Sequence, residues 1–211
     1  METKTLEKPA KLLVGDKELE LPTFTGIEGE ISIDITKLRD KTGAITMDSG
    51  YGNTGSCFSA ITFIDGEKGI LRYRGYPIED LAEKSNFIEV SFLLIYGHLP
   101  SKKELERFQY DLTHHTLIHE DMKKFFEGFP PTAHPMGILS AMVSSLSAYY
   151  PDAYYPENYD LNIIRLLAKL KTIAAFSYKK SVGQPFIYPR NDLNFSADMI
   201  HMMFAVPSEE Y

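Results

Sequence analysis

Six histidines (His98, His114, His115, His119, His134 and His201) and one cysteine, Cys57, are the side chains here best suited to moving protons, binding metals or attacking carbon near neutral pH. His115 and His119 stand four apart, a spacing that can place two imidazoles on one helix face around a metal. The zincin pattern nevertheless fails, because His119-Glu120 is followed by Asp121-Met122-Lys123 where a second histidine is required. No third ligand accompanies the pair, so no metal site is expected. Cys57 lies in GNTGSCFSA with no recognisable base or activating charge, and a small, partly buried role is expected for it. A single cysteine also excludes an intramolecular disulfide and a thiolate zinc site. Gly50, Gly52 and Gly55 fit neither phosphate-loop pattern, and the serine elbow is absent.

A group suited to anions remains. Arg165 and Lys169 are four apart and share one helix face. His114, His115 and Thr116 form a polar cluster near a predicted helix end, and Tyr149 and Tyr150 close the helix between the two groups. Two cations, an aromatic ring and hydroxyl donors could hold a dinucleotide, the cations taking phosphate and the ring stacking. The same spacing also describes an exposed helix face carrying ordinary solubilising charge, and pattern alone leaves both readings open.

The elements that must position these residues change character along the chain. KLLVGDKELELPTF alternates apolar and polar residues around Gly15-Asp16, as a hairpin does. GEISIDI and ITFIDGEKGILRYRG read as further strands, the latter turning between Gly66 and Gly69. From Pro77 onward the periodicity is helical. Capping-box signatures open helices at Asn86–Glu89 and Ser101–Glu104, and Gly97 closes the first. IHEDMKKFFEG is a short helix ended by Gly128 and two prolines. MGILSAMVSSLSAYY carries no charge and must face protein around most of its circumference, either as a core helix or as a buried subunit interface. From Asp160 a long helix runs towards Gly183, with Lys179 and Lys180 near its end where the dipole favours cations, and Asn194 opens a last one. The expected organisation is mainly α: residues 1–76 a β-rich section, residues 77–211 a helical body.

Composition limits the partners. The chain has 211 residues, 44% hydrophobic and 24% charged, which suits a globular fold rather than a disordered one. A net charge of −7 argues against general binding to nucleic acid or anionic membranes. No apolar run is long enough for a signal peptide or a bilayer span, and the lone cysteine suits a reducing compartment, so a cytoplasmic protein is expected.

Those residues also carry a resemblance. TFIDGEKGILRYRGYPIEDLAEKSNFIEV, and YKKSVGQPFIYPRNDL followed by MIHMMF, resemble segments of bacterial citrate synthases of the large, hexamer-forming, NADH-regulated type, and the similarity runs from about Lys11 to Tyr211. The resemblance implies the front part of a mostly helical large domain, from a subunit that works as a dimer or a trimer of dimers. The full enzyme joins acetyl-CoA to oxaloacetate, giving citrate and CoA, and requires no cofactor. The family's catalytic histidines and aspartate, and its oxaloacetate-binding arginines, belong to later parts of its chains, so no catalytic residue is expected here and the chain alone is expected to be inactive. By the same resemblance, His115 and Thr116 match a His-Thr pair of an allosteric NADH site, Tyr150 its tyrosine, and Arg165 and Lys169 its basic pair. His114 stands where NADH-sensitive members can have arginine, Leu117 replaces a methionine, and Ser208 takes the place of a reactive cysteine. Two other expectations compete: a short nucleotide-binding or interaction protein built on part of the fold, and the corresponding part of a 2-methylcitrate synthase.

Overall fold

Gly15, in the left-handed region at φ 60°, reverses the chain where the sequence places a hairpin. The computed structural model describes residues 4–5 and 8–209; Glu210 and Tyr211, at the end of the expected helical body, lie outside them. Two compact units divide the chain, Met1–Phe63 and Ile64–Tyr211.

In the first unit, strand β1 (Lys4–Thr5) precedes β2 (Ala10–Val14) and β3 (Lys17–Leu21), which pair antiparallel from Ala10 opposite Leu21 to Val14 opposite Lys17. That register puts Leu12, Val14, Leu19 and Leu21 on one face, where Leu38 of helix α1 (Leu38–Thr42) packs. Strands β4 (Thr23–Thr25) and β5 (Ile31–Ile33) form a second antiparallel sheet in the order β1-β4-β5. Cys57 is exposed, which corrects the expectation of a partly buried side chain: it lies in an irregular, glycine-rich stretch with no element to cover it.

Strand β6 (Thr62–Asp65) leads into β7 (Ile70–Tyr73) and β8 (Tyr76–Pro77), a small sheet in that order. The Asp65 carboxylate accepts the backbone N–H groups of Glu67 and Lys68 and fixes the first turn. Arg74 and Gly75, at φ 50° and 90°, make the two-residue second turn.

Helices follow: α2 (Ile78–Lys84), α3 (Phe87–Tyr96), α4 (Lys102–His114), α5 (Met122–Glu127), α6 (Pro135–Tyr149), α7 (Tyr159–Ser181) and α8 (Phe195–Phe204). The fold is therefore mainly α with small sheets, as expected. Both capping boxes form. Asn86 accepts from the Ile88 and Glu89 N–H groups while Glu89 accepts from Asn86, and Ser101 and Glu104 exchange the same bonds. The prolines at 151 and 156 begin two short 3₁₀ turns, Pro151–Tyr154 and Pro156–Asn158, between α6 and α7.

Helix α7 joins the core. Its Ile173 and Phe176 pack with Ile138, Met142 and Leu146 of α6 and with Met122 and Phe126 of α5, while Ala168 packs with Phe92 of α3 and Leu112 of α4. Only one stripe of α6 is buried, however. Gly137, Ser140, Ala141, Ser144 and Ala148 are exposed, so within this chain the charge-free helix is packed along one side, contrary to the expectation for a core helix.

The same central helix buries three lysines, Lys169, Lys171 and Lys179, all at most 5% exposed. Lys171 Nζ meets Asp198 Oδ2 of α8 at 2.5 Å and lies 4.7 Å from the Phe195 ring centre, and Asp198 Oδ1 accepts the Arg190 N–H at 2.8 Å. Lys179 donates to Gln184 Oε1 (2.7 Å) and to the Ala205 carbonyl (2.6 Å), and burial lowers its pKa. Beyond the dipole-favoured position expected near a helix end, it ties the chain after α7 to the end of α8. Among the described residues no helix is long and apolar enough to cross a membrane.

Breaking the Lys171–Asp198 pair from one side strands a buried charge. We expect Asp198→Asn to destabilise the protein by roughly 3–5 kcal/mol, and Lys171→Met/Asp198→Leu to recover most of that loss. Chemical denaturation of the three proteins checks both values; equal stability of Asp198→Asn and the parent would show the pair to be inert.

Candidate functional site

Tyr150 ends α6 because Pro151 cannot continue the helix; its N–H still reaches the Leu146 carbonyl, and its ring is left beside the first half of α7. Arg165 Cζ lies 4.7 Å from the centre of that ring and Lys169 Nζ 5.4 Å, so the two cations one helical turn apart share a single aromatic ring.

The cations have different tasks. Lys169 is 4% exposed, and its ammonium donates to the carbonyls of His115 (2.8 Å) and Leu117 (2.5 Å). Thr172, one turn-face neighbour along α7, donates its hydroxyl to the Thr116 carbonyl at 2.8 Å. Three successive carbonyls, 115 to 117, are therefore satisfied by α7 side chains just after α4 ends, where helix termination would leave backbone acceptors unpaired. Burial, with a smaller contribution from the Arg165 charge, lowers the Lys169 pKa to about 8. Desolvation raises the Tyr150 pKa, Arg165 opposes the rise and Asp152 adds to it.

Arg165 is the outward-facing member. Its side chain is 20% exposed, and Nη1 donates to Asp152 Oδ1 (3.1 Å), Asp152 Oδ2 (3.0 Å) and Asn162 Oδ1 (3.2 Å). Asp152 stands in the 3₁₀ turn two residues after Tyr150, and Asn158 Nδ2 holds its carbonyl at 3.0 Å.

Of the residues singled out from sequence, His115, Thr116, Leu117, Tyr150, Arg165 and Lys169 come together. Thr116 is buried and donates to the Thr113 carbonyl, His115 Nδ1 donates to the Asp111 carbonyl, and the Leu117 side chain is 60% exposed. His114 belongs to the surface of its own helix, donating to the Tyr110 carbonyl and stacking on that ring at 3.9 Å.

Two expectations are corrected. Arg165 and Lys169 do not make a solvent-facing basic stripe, because the Lys169 charge is drawn inward by unpaired carbonyls. His115 and His119 do not share a helix face, because α4 stops at His114 and His115 is already its cap. Sequence reasoning missed Asp152, Asn162 and Thr172. The Pro151-Asp152 pair carried a signal: proline presets a turn, and aspartate is favoured within one. A guanidinium above a phenol ring beside a fixed backbone turn can bind a planar or phosphorylated anion.

Comparison with known proteins bears on the whole chain. A family model described as "Citrate synthase, C-terminal domain" matches residues 50–211. Citrate synthase 1 of Mycobacterium tuberculosis is 52% identical over 197 residues, covering 92% of this chain and 46% of that protein. The crystal structure of citrate synthase from Pyrobaculum aerophilum matches with a TM-score of 0.67 at 35% identity, over 81% of this chain and 46% of that one. The enzyme from Thermotoga maritima matches with a TM-score of 0.66 at 31% identity, over 79% and 43%. The chain thus spans about half the length of the curated relatives it matches.

The buried ammonium gives the site a pH signature. Because the folded pKa of Lys169, about 8, lies below the ordinary 10.5, the unfolded chain binds the extra proton between those values and folding gains stability as pH rises through them. The neutral amine still has two N–H donors for the two carbonyls. The stability difference between the parent and Lys169→Met should therefore grow in the parent's favour from about pH 7.5 to about pH 9.5. Denaturation of both proteins across that range measures it, and parallel profiles would contradict the assignment.

Proposed function

This chain belongs to the citrate synthase family, and we propose that it is the N-terminal portion of a bacterial, hexamer-forming, NADH-regulated member whose full length condenses acetyl-CoA with oxaloacetate to citrate and CoA. The likeness across nearly the whole chain to enzymes about twice its length carries this reading. In it, residues 1–76 are the β-rich N-terminal section and residues 77–211 the beginning of the helical large domain. The reaction is an acyl transfer of the tricarboxylic acid cycle that needs no cofactor, since an enolised acetyl group attacks a ketone directly. That chemistry requires a positioned acid and base and cations for a dicarboxylate. Five of the six histidines make local contacts instead: His98, His114 and His115 donate to nearby carbonyls, and His119 and His134 accept the Asp121 and Met136 N–H groups, while His201 is buried on α8. We therefore assign catalysis to residues beyond this chain and expect the chain alone to be inactive.

Two further assignments belong to the same reading. The exposed flank of α6, free of charge and lined by Gly137, Ser140, Ala141, Ser144 and Ala148, suits close packing against a helix of another subunit, as in an obligate oligomer of a cytoplasmic enzyme. Tyr150, Arg165 and Lys169, with His115, Thr116 and Leu117, form the core of the NADH-responsive surface, His114 lying at its edge. Arg165 is the direct phosphate partner in this arrangement, and Lys169 holds the 115–117 turn in place.

The full-length protein should release CoA from acetyl-CoA only when oxaloacetate is added, and the 211-residue chain should not. Turnover by the short chain would overturn the assignment of catalysis to residues beyond it. Loss of one charge-assisted contact should weaken NADH binding to full-length Arg165→Ala by about tenfold or more, as read by fluorescence titration. Unchanged affinity would remove Arg165 from the surface.

A further inference from the structure

The Arg165 guanidinium already has an anion. Both oxygens of Asp152 lie against a single nitrogen, Nη1, at 3.0 and 3.1 Å, and among the described residues no protein acceptor is recorded for Nη2 or Nε. This is a one-nitrogen contact, weaker than the two parallel bonds that a guanidinium makes with a well-placed carboxylate or phosphate. It is also partly wet, with the Asp152 side chain 40% exposed.

On the reading that this surface receives a phosphate-bearing nucleotide, we infer that Asp152 is a built-in competitor for Arg165, whose carboxylate occupies the guanidinium until a phosphate displaces it. Three features favour a competitor over a merely structural pair. The turn that carries Asp152 is fixed by Pro151 and by the 3.0 Å bond from Asn158 Nδ2 to the Asp152 carbonyl, so the carboxylate, which Asn158 Nδ2 also meets at a long 3.5 Å, is held at high local concentration beside Arg165. Releasing it requires rotation of a short side chain and loss of the long Asn158 contact to Oδ2, while the Asn158 bond to the Asp152 carbonyl can stay. The pair is also partly open to water, with 40% of the Asp152 and 20% of the Arg165 side chain exposed, so it is less costly to exchange than a fully buried pair.

The device sets selectivity. A singly charged carboxylate ligand would gain little by replacing one carboxylate with another, whereas a phosphate brings more charge and a geometry that can engage two guanidinium nitrogens. Asp152 therefore raises the threshold for weak anions and lets a nucleotide through. It is a positioning residue for the ligand site, acting through Arg165.

The test is NADH titration of the full-length protein and its Asp152→Asn, Asp152→Ala, Arg165→Ala and Asp80→Asn variants at fixed ionic strength. Asp80 forms an exposed pair with Lys84 on α2 and controls for the loss of one negative charge. Removing the competitor should tighten NADH binding by roughly fivefold in both Asp152 variants, with Asp80→Asn unchanged and Arg165→Ala weakened. Damage to the turn would weaken binding instead, so a gain separates competition from structure. Unchanged or weaker binding in both Asp152 variants, with the parent binding NADH through Arg165, would overturn the inference and leave the nucleotide surface standing. Absence of binding in the parent and in every variant would overturn both.

Discussion

Three lysines on one buried helix are the constraint on which the helical unit depends. Charge inside a protein is costly unless it is paired or hydrogen-bonded, so each buried ammonium of α7 dictates what must lie opposite it. Lys169 requires the carbonyls at 115 and 117, Lys171 requires the carboxylate of Asp198, and Lys179 requires Gln184 and the Ala205 carbonyl. These partners lie after α4, within α8, and just past the ends of α7 and α8. Apolar packing sets how close these segments come; the lysines select which backbone atoms meet α7.

The candidate surface follows from that selection. Once Lys169 and Thr172 have taken the carbonyls at 115–117, the turn after α4 is fixed beside α7, and Tyr150 covers the same stretch of the helix from the end of α6. Arg165, one turn nearer the N-terminus, is left with an aromatic face on one side and Asp152 on the other. An apparently simple basic pair is thus a divided one, with an inner cation that organises the backbone and an outer cation that can exchange partners.

Local features were legible in the sequence because local physics determines them. The Gly15-Asp16 hairpin, both capping boxes and the helix-ending glycine at 97 involve residues within a few positions of one another. Features that depend on distant partners were not. Lysine is ordinarily a surface residue, so nothing in the run around Lys169 or Lys179 announces that carbonyls more than twenty residues away will draw them inward. The resemblance to a known family named Tyr150, Arg165 and Lys169, but not Asp152, whose significance depends on the 3₁₀ turn that brings it back to Arg165. Helix α6 is a related case: lack of charge predicts burial, yet within this chain one flank stays exposed, because burial depends on what packs against a helix and not on the helix alone.

If α7 assembles an anion-responsive surface from the turn after α4 and the end of α6, amide hydrogen exchange of the full-length protein with and without NADH should reveal it. Added protection should concentrate in the turn around 115–118, the stretch from Tyr150 through the 3₁₀ turns, and the first half of α7. Protection confined to other segments, or no change on adding NADH at saturating concentration, would contradict it.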